Sequence, residues 1–181
     1  MQNGGIKIIN TINFLICIVL FAIIAYVVYQ HVYDYEKIQS VKNHFELTVP
    51  KKYAFETNTN AVGEALSLAV WDSETSTYIF AYAYGKDGKL KEYVEEEIES
   101  VREDNEQFRD VSELSEKIIN DNIVYMYSYN YTDEYDDDYY AKILWIDGQK
   151  GDYFLVLECL EAEKDTHIEN LDKIANSFVE L

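Results

Sequence analysis

Residues 123–140, IVYMYSYNYTDEYDDDYY, place tyrosine at every second position and then five carboxylates within six residues. Alternate side chains of an extended strand share a face. Tyr125, Tyr127, Tyr129 and Tyr131 therefore line one side, with Val124, Met126, Ser128 and Asn130 on the other. The run TYIFAYAY repeats the pattern, setting Tyr78, Phe80, Tyr82 and Tyr84 opposite Ile79, Ala81 and Ala83. Two aromatic stripes can thus lie on one sheet face. Covered by a helix, they are core with hydroxyls at the rim. Uncovered, they form a platform suited to glycan or peptide binding. Strand propensity alone also accounts for such a run.

The acidic residues Asp133, Glu134, Asp136, Asp137 and Asp138 fall where a hairpin loop is expected. Calcium takes roughly six to eight oxygen ligands, and this loop could supply several of them. It lacks the D-x-D-x-D-G spacing and the turn glycine of an EF-hand loop, and consecutive residues of an extended chain point apart. The plainer reading is a solvated hairpin tip without a cofactor; calcium is the alternative.

Other chemistry is sparse. His31 and His44 lie in or near a membrane-proximal segment, and His167 sits in a helix-start pattern as a surface residue. None is placed for a Ser-His-Asp or Cys-His site. Cys17 falls inside an apolar stretch far from Cys159, so no disulfide forms within the domain. Cys159 shares a strand face with Tyr153, Leu155 and Leu157, an apolar setting for an inert thiol. H-E-x-x-H, C-x-x-C, G-x-G-x-x-G and P-loop patterns are all missing from the sequence. A carboxylate pair can do acid–base work, but among 34 Asp and Glu any chosen pair is arbitrary. The chain is expected not to be an enzyme.

Charge narrows the partners. Against those 34 acids stand 15 Lys and Arg, a net charge of −19, and every carboxylate lies after residue 33. Such a field repels phosphate backbones and anionic lipid heads, which disfavours nucleic-acid binding. Tyr, Asn, Ile, Lys and Asp are abundant together, a compositional bias that needs no functional cause.

The elements that position these residues begin with an anchor. FLICIVLFAIIAYVVY, residues 14–29, has no charge or amide, and residues 8–29 extend it with Asn10 and Asn13 at the interface. As a helix this longer stretch spans about 33 Å, against a hydrocarbon core of about 30 Å. Ala22 and Ala25 are separated by two isoleucines and make a poor cleavage site. Residues 1–30 are thus expected to be a tail and single transmembrane helix in the cell membrane. The short tail favours an extracytoplasmic C-terminal domain. Val32, Tyr35, Ile38 and Val41 continue a helical spacing, so residues 31–43 read as a helical stalk or linker, and residues 44–181 as the folded domain.

Within that domain FELTVP alternates and is closed by the only proline, Pro50, as a strand end. LSLAVW (66–71) and TYIFAYAY (77–84) flank a turn and make a hairpin. Residues 90–108 set Leu90, Tyr93, Val94, Ile98, Val101 and Phe108 on one helical stripe, opposite a solvated face of glutamates. Four strands follow, near 110–119, 123–131, 139–146 and 152–161, with Asp147-Gly148 as a hairpin cue. Thr166-His167-Ile168-Glu169 fits a capping box. It opens a helix whose stripe of Ile168, Leu171, Ile174, Ala175, Phe178 and Val179 runs to the end. The predicted order is βββ-α-ββββ-α: an α+β domain with an antiparallel β-sheet and packed helices, preceded by one transmembrane helix.

The entry FELTVPKKY, the hairpin and helix, and the ending YFLVLECLEAEKDTHIENLDKIANSF together resemble the PsbP-like superfamily over roughly residues 44–181. That group includes the photosystem extrinsic P-protein, a Ran-binding factor and many anchored bacterial extracytoplasmic proteins. The resemblance implies a non-enzymatic accessory or binding domain and carries no functional residues with it. The expected function is a membrane-anchored domain presenting a sheet surface to another envelope protein. The alternative is an extracytoplasmic binder of calcium or cell-wall glycan.

Overall fold

The computed structural model describes residues 19–23, 34–57 and 66–181. The chain divides into two compact units, residues 1–36 and 37–181. In the first, residues 19–23 are helical and expose Val19, Leu20, Phe21 and Ile23. Among the described residues no helix is long and apolar enough to cross a membrane. Most of the expected anchor, with Cys17 and His31, lies outside the described residues.

The second unit is built on antiparallel strands. The first strands are β1 (Tyr35–Ser40), β2 (Phe45–Pro50), β3 (Ala54–Thr57), β4 (Leu66–Asp72) and β5 (Thr77–Tyr84). Helix α1 (Leu90–Glu103) comes next, then β6 (Phe108–Arg109), β7 (Ser115–Ile119), β8 (Asn122–Thr132), β9 (Asp138–Asp147) and β10 (Asp152–Leu160). Helix α2 (Lys164–Asn176) and β11 (Val179–Glu180) complete the domain. Strands β1-β2-β11 make a small sheet; β3-β4-β5-β10-β9-β8-β6 make a large one, with β7 also pairing β8. The expected α+β class and both helices are present, with four short strands more than the pattern predicted.

Strand β10 explains the layering. Its YFLVLECL core alternates Tyr153, Leu155, Leu157 and Cys159 with Phe154, Val156 and Glu158, so both faces of the large sheet need cover. On the first face Leu68, Val70, Ile79, Leu144 and Leu155 pack under Leu171, Ile174 and Ala175 of α2 and under Phe45, Leu47 and Val49 of β2. On the second, Leu90, Val94 and Ile98 of α1 lie over Tyr125, Tyr127, Ile143 and Trp145.

Several expectations need correction. The helical spacing of Tyr35 and Ile38 does not continue a stalk, because 35–40 is strand β1 and Ile38 is buried in the first core. Helix α1 stops at Glu103: the Asp104 side chain accepts the Gln107 N–H at 3.2 Å, and the turn delivers Phe108 to a strand paired with Tyr131. Helix α2 starts at Lys164, directly after a 3-10 turn at Glu161–Glu163, so Thr166 is already inside it and no capping box forms. His167 is buried, with its Nε2 3.2 Å from the Glu163 carboxylate, rather than on the surface. Phe178 and Val179 lie beyond α2, where Val179 pairs with Glu46. Cys159 is fully buried as expected, and burial foremost pushes its thiol up to about 11.

The C-terminal strand locks the β9–β10 hairpin. Glu180 accepts the backbone N–H of Gln149 at 2.7 Å, that of Lys150 at 2.6 Å and the Tyr153 hydroxyl at 2.9 Å. Gly148 closes the turn on Gly151 at 3.0 Å, and a Cβ on it would meet Glu180 Oε1 at 2.7 Å. Burial works to raise the Glu180 carboxyl, but these hydrogen bonds outweigh it and hold the pKa below the usual carboxylate range. Glu180→Ala and Gly148→Ala should each destabilise the domain at pH 7, the former by about 1–3 kcal/mol for loss of a charged acceptor. Because the folded pKa is depressed, the Glu180 contribution is complete above about pH 4.3 and disappears as pH falls through the folded value. Denaturant titrations of Glu180→Ala at pH 7 and in strong acid measure both effects.

Candidate binding face

Strand register brings the two tyrosine stripes onto one face, as their alternation allows. Across β8, β9, β10 and β5 one row reads Tyr129, Ala141, Glu158, Tyr78. The next row is Tyr127, Ile143, Val156, Phe80, and the third is Tyr125, Trp145, Phe154, Tyr82. Tyr131 pairs with Tyr139 at the other end.

Helix α1 covers only part of this surface. Tyr125 and Tyr127 are buried beneath it, while Tyr129, Tyr131, Tyr139, Tyr78, Phe80, Tyr82, Tyr84 and Phe154 remain partly exposed. The two sequence alternatives, core and platform, thus hold for different ends of the same stripe. The ring contacts on this face form two groups. Tyr78 and Phe80 stack at 6.3 Å, Tyr78 meets Tyr139 at 6.4 Å, and Tyr139 stacks on Tyr131 at 5.6 Å. Tyr82 lies 5.8 Å from Phe154, which stacks on Trp145 at 4.3 Å.

Two carboxylates are set among these rings, and sequence reading passed over both. Glu97, on the inner side of α1, accepts the Tyr127 hydroxyl at 3.0 Å. Its Oε2 and the Trp145 indole N–H are buried without a hydrogen-bond partner. The indole is near enough to help hold the acid down but falls outside hydrogen-bond geometry. Burial dominates and raises the Glu97 pKa. Glu158 sits centrally in its row and interacts with the Tyr131 phenol; burial raises its pKa too. The phenols shift upward in turn, Tyr129 to about 12, foremost through burial. They therefore stay protonated as donors. The one readable signal for Glu158 was a carboxylate on the otherwise apolar Phe154–Val156 side of β10.

The acidic loop is a self-capped hairpin tip. Asp133 Oδ1 accepts the N–H groups of Tyr135 and Asp137, each at 2.9 Å, and Asp136 takes a left-handed conformation with φ 64°. Thr132 donates to Asp138 at 2.7 Å and Arg109 donates to the same carboxylate at 2.8 Å, pulling it toward the sheet edge. Glu134, Asp136 and Asp137 point into solvent. Among the described residues no group of three or more His, Cys, Asp or Glu is arranged to hold a metal ion.

Both raised carboxylates bind protons more readily folded than unfolded, so their ionisation costs stability as pH rises. Glu97→Gln and Glu158→Gln should each raise the unfolding free energy at pH 7, with the gain shrinking to nothing below the ordinary glutamate pKa of about 4.3. Tyr127→Phe should act oppositely, removing the donor to Glu97 and costing about 1–3 kcal/mol. Urea titrations across pH 4–8 test all three.

No protein-family model and no curated protein matches this chain. Solved structures do. The cyanobacterial PsbP (CyanoP) of Synechocystis sp. PCC 6803 superposes with a TM-score of 0.55 at 13% identity, covering 82% of this chain and 93% of that one. LpqN of Mycobacterium tuberculosis, described as involved in cell envelope biogenesis, superposes with a TM-score of 0.52 at 15% identity, covering 75% and 82%. The two-layered antiparallel sheet with its terminal helix is therefore a PsbP-like fold.

Proposed function

We propose that this chain is a non-catalytic, membrane-anchored accessory domain that presents the uncovered part of its aromatic sheet face to another protein of the cell envelope. The observation that carries this reading is the partial cover. Helix α1 buries Tyr125 and Tyr127 but leaves Tyr82, Phe154, Phe80, Tyr78, Tyr139 and Tyr131 partly exposed. Tyrosine and tryptophan supply large, stiff contact area and are enriched at protein interfaces. The apolar segment at residues 8–29 supports anchoring, and the domain beyond it supports display at the membrane surface. The likeness to LpqN, itself described as involved in cell envelope biogenesis, supports placing the partner in the envelope.

Photo-crosslinking tests this. A photoreactive aromatic residue in place of Tyr82 should give a protein adduct of defined mass in intact membranes. The same residue in place of Ile118, exposed on β7, should give none. No adduct at Tyr82, or equal yield at Ile118, would sink the reading. The acidic tip is tested by thermal unfolding with calcium and with magnesium at fixed ionic strength. Equal, small rises are expected from screening of a −19 chain. A calcium-only rise, of the size a ligand at about 100 times its Kd produces (about 2.7 kcal/mol), would move the function to the loop if Asp136→Asn with Asp137→Asn abolished it.

A further inference from the structure

Resting on that reading, we infer that the partner docks through a lysine or arginine side chain that lies among Tyr78, Tyr129, Tyr131 and Tyr139 and pairs with Glu158. Glu158 is the one carboxylate that the uncovered array surrounds, and among the described residues no lysine or arginine forms an ion pair with it. Two well-buried acids, by contrast, carry a lysine. Glu46 holds Lys37 at 2.6 Å and Asp72 holds Lys52 at 2.5 Å. Glu158 has only the Tyr131 phenol, and its burial is not offset within the domain.

The surroundings suit a cation. In its row Glu158 is followed by Ala141, which is fully buried, and then Tyr129; the flanking rows carry Ile143 and Tyr139 on the same strand. Tyr129 and Glu158 are two strand spacings apart, about 10 Å, and both are partly exposed. The partly exposed rings of Tyr78, Tyr139, Tyr131 and Tyr129 surround Glu158, their contacts running from 5.6 to 6.4 Å between centroids. Aromatic faces attract ammonium and guanidinium groups, and the alkyl stem of such a side chain packs on rings while its charged end reaches the acid. One carboxylate among phenols offers too few oxygens for calcium. A chain of net charge −19 also steers a basic partner toward itself.

The test is an NMR titration of the full-length chain, at 150 mM salt, with a capped Gly/Ser pentapeptide carrying one central lysine and with its acetyl-lysine counterpart. The lysine peptide should shift the ring resonances of Tyr78, Tyr131 and Tyr139, and the acetylated peptide should need at least tenfold higher concentration. Glu158→Gln should weaken the lysine peptide tenfold or more, about 1.4 kcal/mol, whereas Glu96→Gln, on the exposed face of α1, should leave it within twofold. Glu158→Gln is expected to fold at least as well as the parent at pH 7, so loss of binding is not loss of structure. Equal binding of both peptides, no binding, or an unchanged Glu158→Gln would overturn the cation anchor. The Tyr82 crosslink separates the two ideas: an adduct that persists undiminished in Glu158→Gln keeps the docking face and discards the cation, and absence of any adduct in the parent discards both.

Discussion

One helix must cover one whole face of an eight-stranded sheet, and most of this domain's character follows from that shortage. Strands lie about 4.8 Å apart, while a helix with its side chains is only about 10–12 Å wide. Helix α1 shelters the β8–β9 end. Over β5 and β10 the same face has rings instead of a helix. Tyrosine suits this compromise, since its ring excludes water from the sheet and its hydroxyl tolerates the solvent above. The result is a surface neither fully buried nor polar.

The opposite face has no such shortage. Helix α2 and the small β1-β2-β11 sheet share it, and they are joined at the C-terminus. Ser177 ends α2 by donating its hydroxyl to the Ile174 carbonyl at 2.7 Å while its Oγ accepts the Thr48 N–H at 2.8 Å. Phe178 then enters an aromatic cluster with Phe45 and Tyr153, at centroid separations of 5.0–5.8 Å. Glu180 reaches the turn that joins β9 to β10. Residues from both ends of the domain and its central hairpin thus meet at one point. The sheet is densely packed on this face and more thinly covered on the other.

The placement of charge follows the same division. Acids that the fold uses for itself, Glu46, Asp72 and Glu180, receive cations or several N–H donors. The two acids under or among the tyrosines receive a phenol and no cation, and burial raises both. Retaining an ionisable group at a cost to the free domain is common where a surface is shaped for binding rather than for stability.

Much of this was legible in the sequence because it depends on short-range pattern. Period-two alternation located β2, β4, β5 and β8–β10, and it allowed Tyr78–Tyr84 and Tyr125–Tyr131 to share a face, which the strand register then decided. Helical spacing found Leu90, Val94, Ile98, Leu171, Ile174 and Ala175 but also put Tyr93, which is exposed, on the buried stripe; the order of elements pointed to the PsbP-like fold. Boundaries failed where a long-range contact decided them. Ile38 has helical spacing but pairs into a sheet completed by residues 179–180, and Phe108 fits the α1 stripe but is drawn onto Tyr129 at 4.8 Å. His167 fits a surface position, yet the 3-10 turn before it rotates it inward. The cover of the tyrosines, and the isolation of Glu158 among them, were beyond the sequence altogether. Alternation assigns each residue a face, but which face a helix covers, and how far, is set by how a 14-residue helix packs across strands from distant parts of the chain.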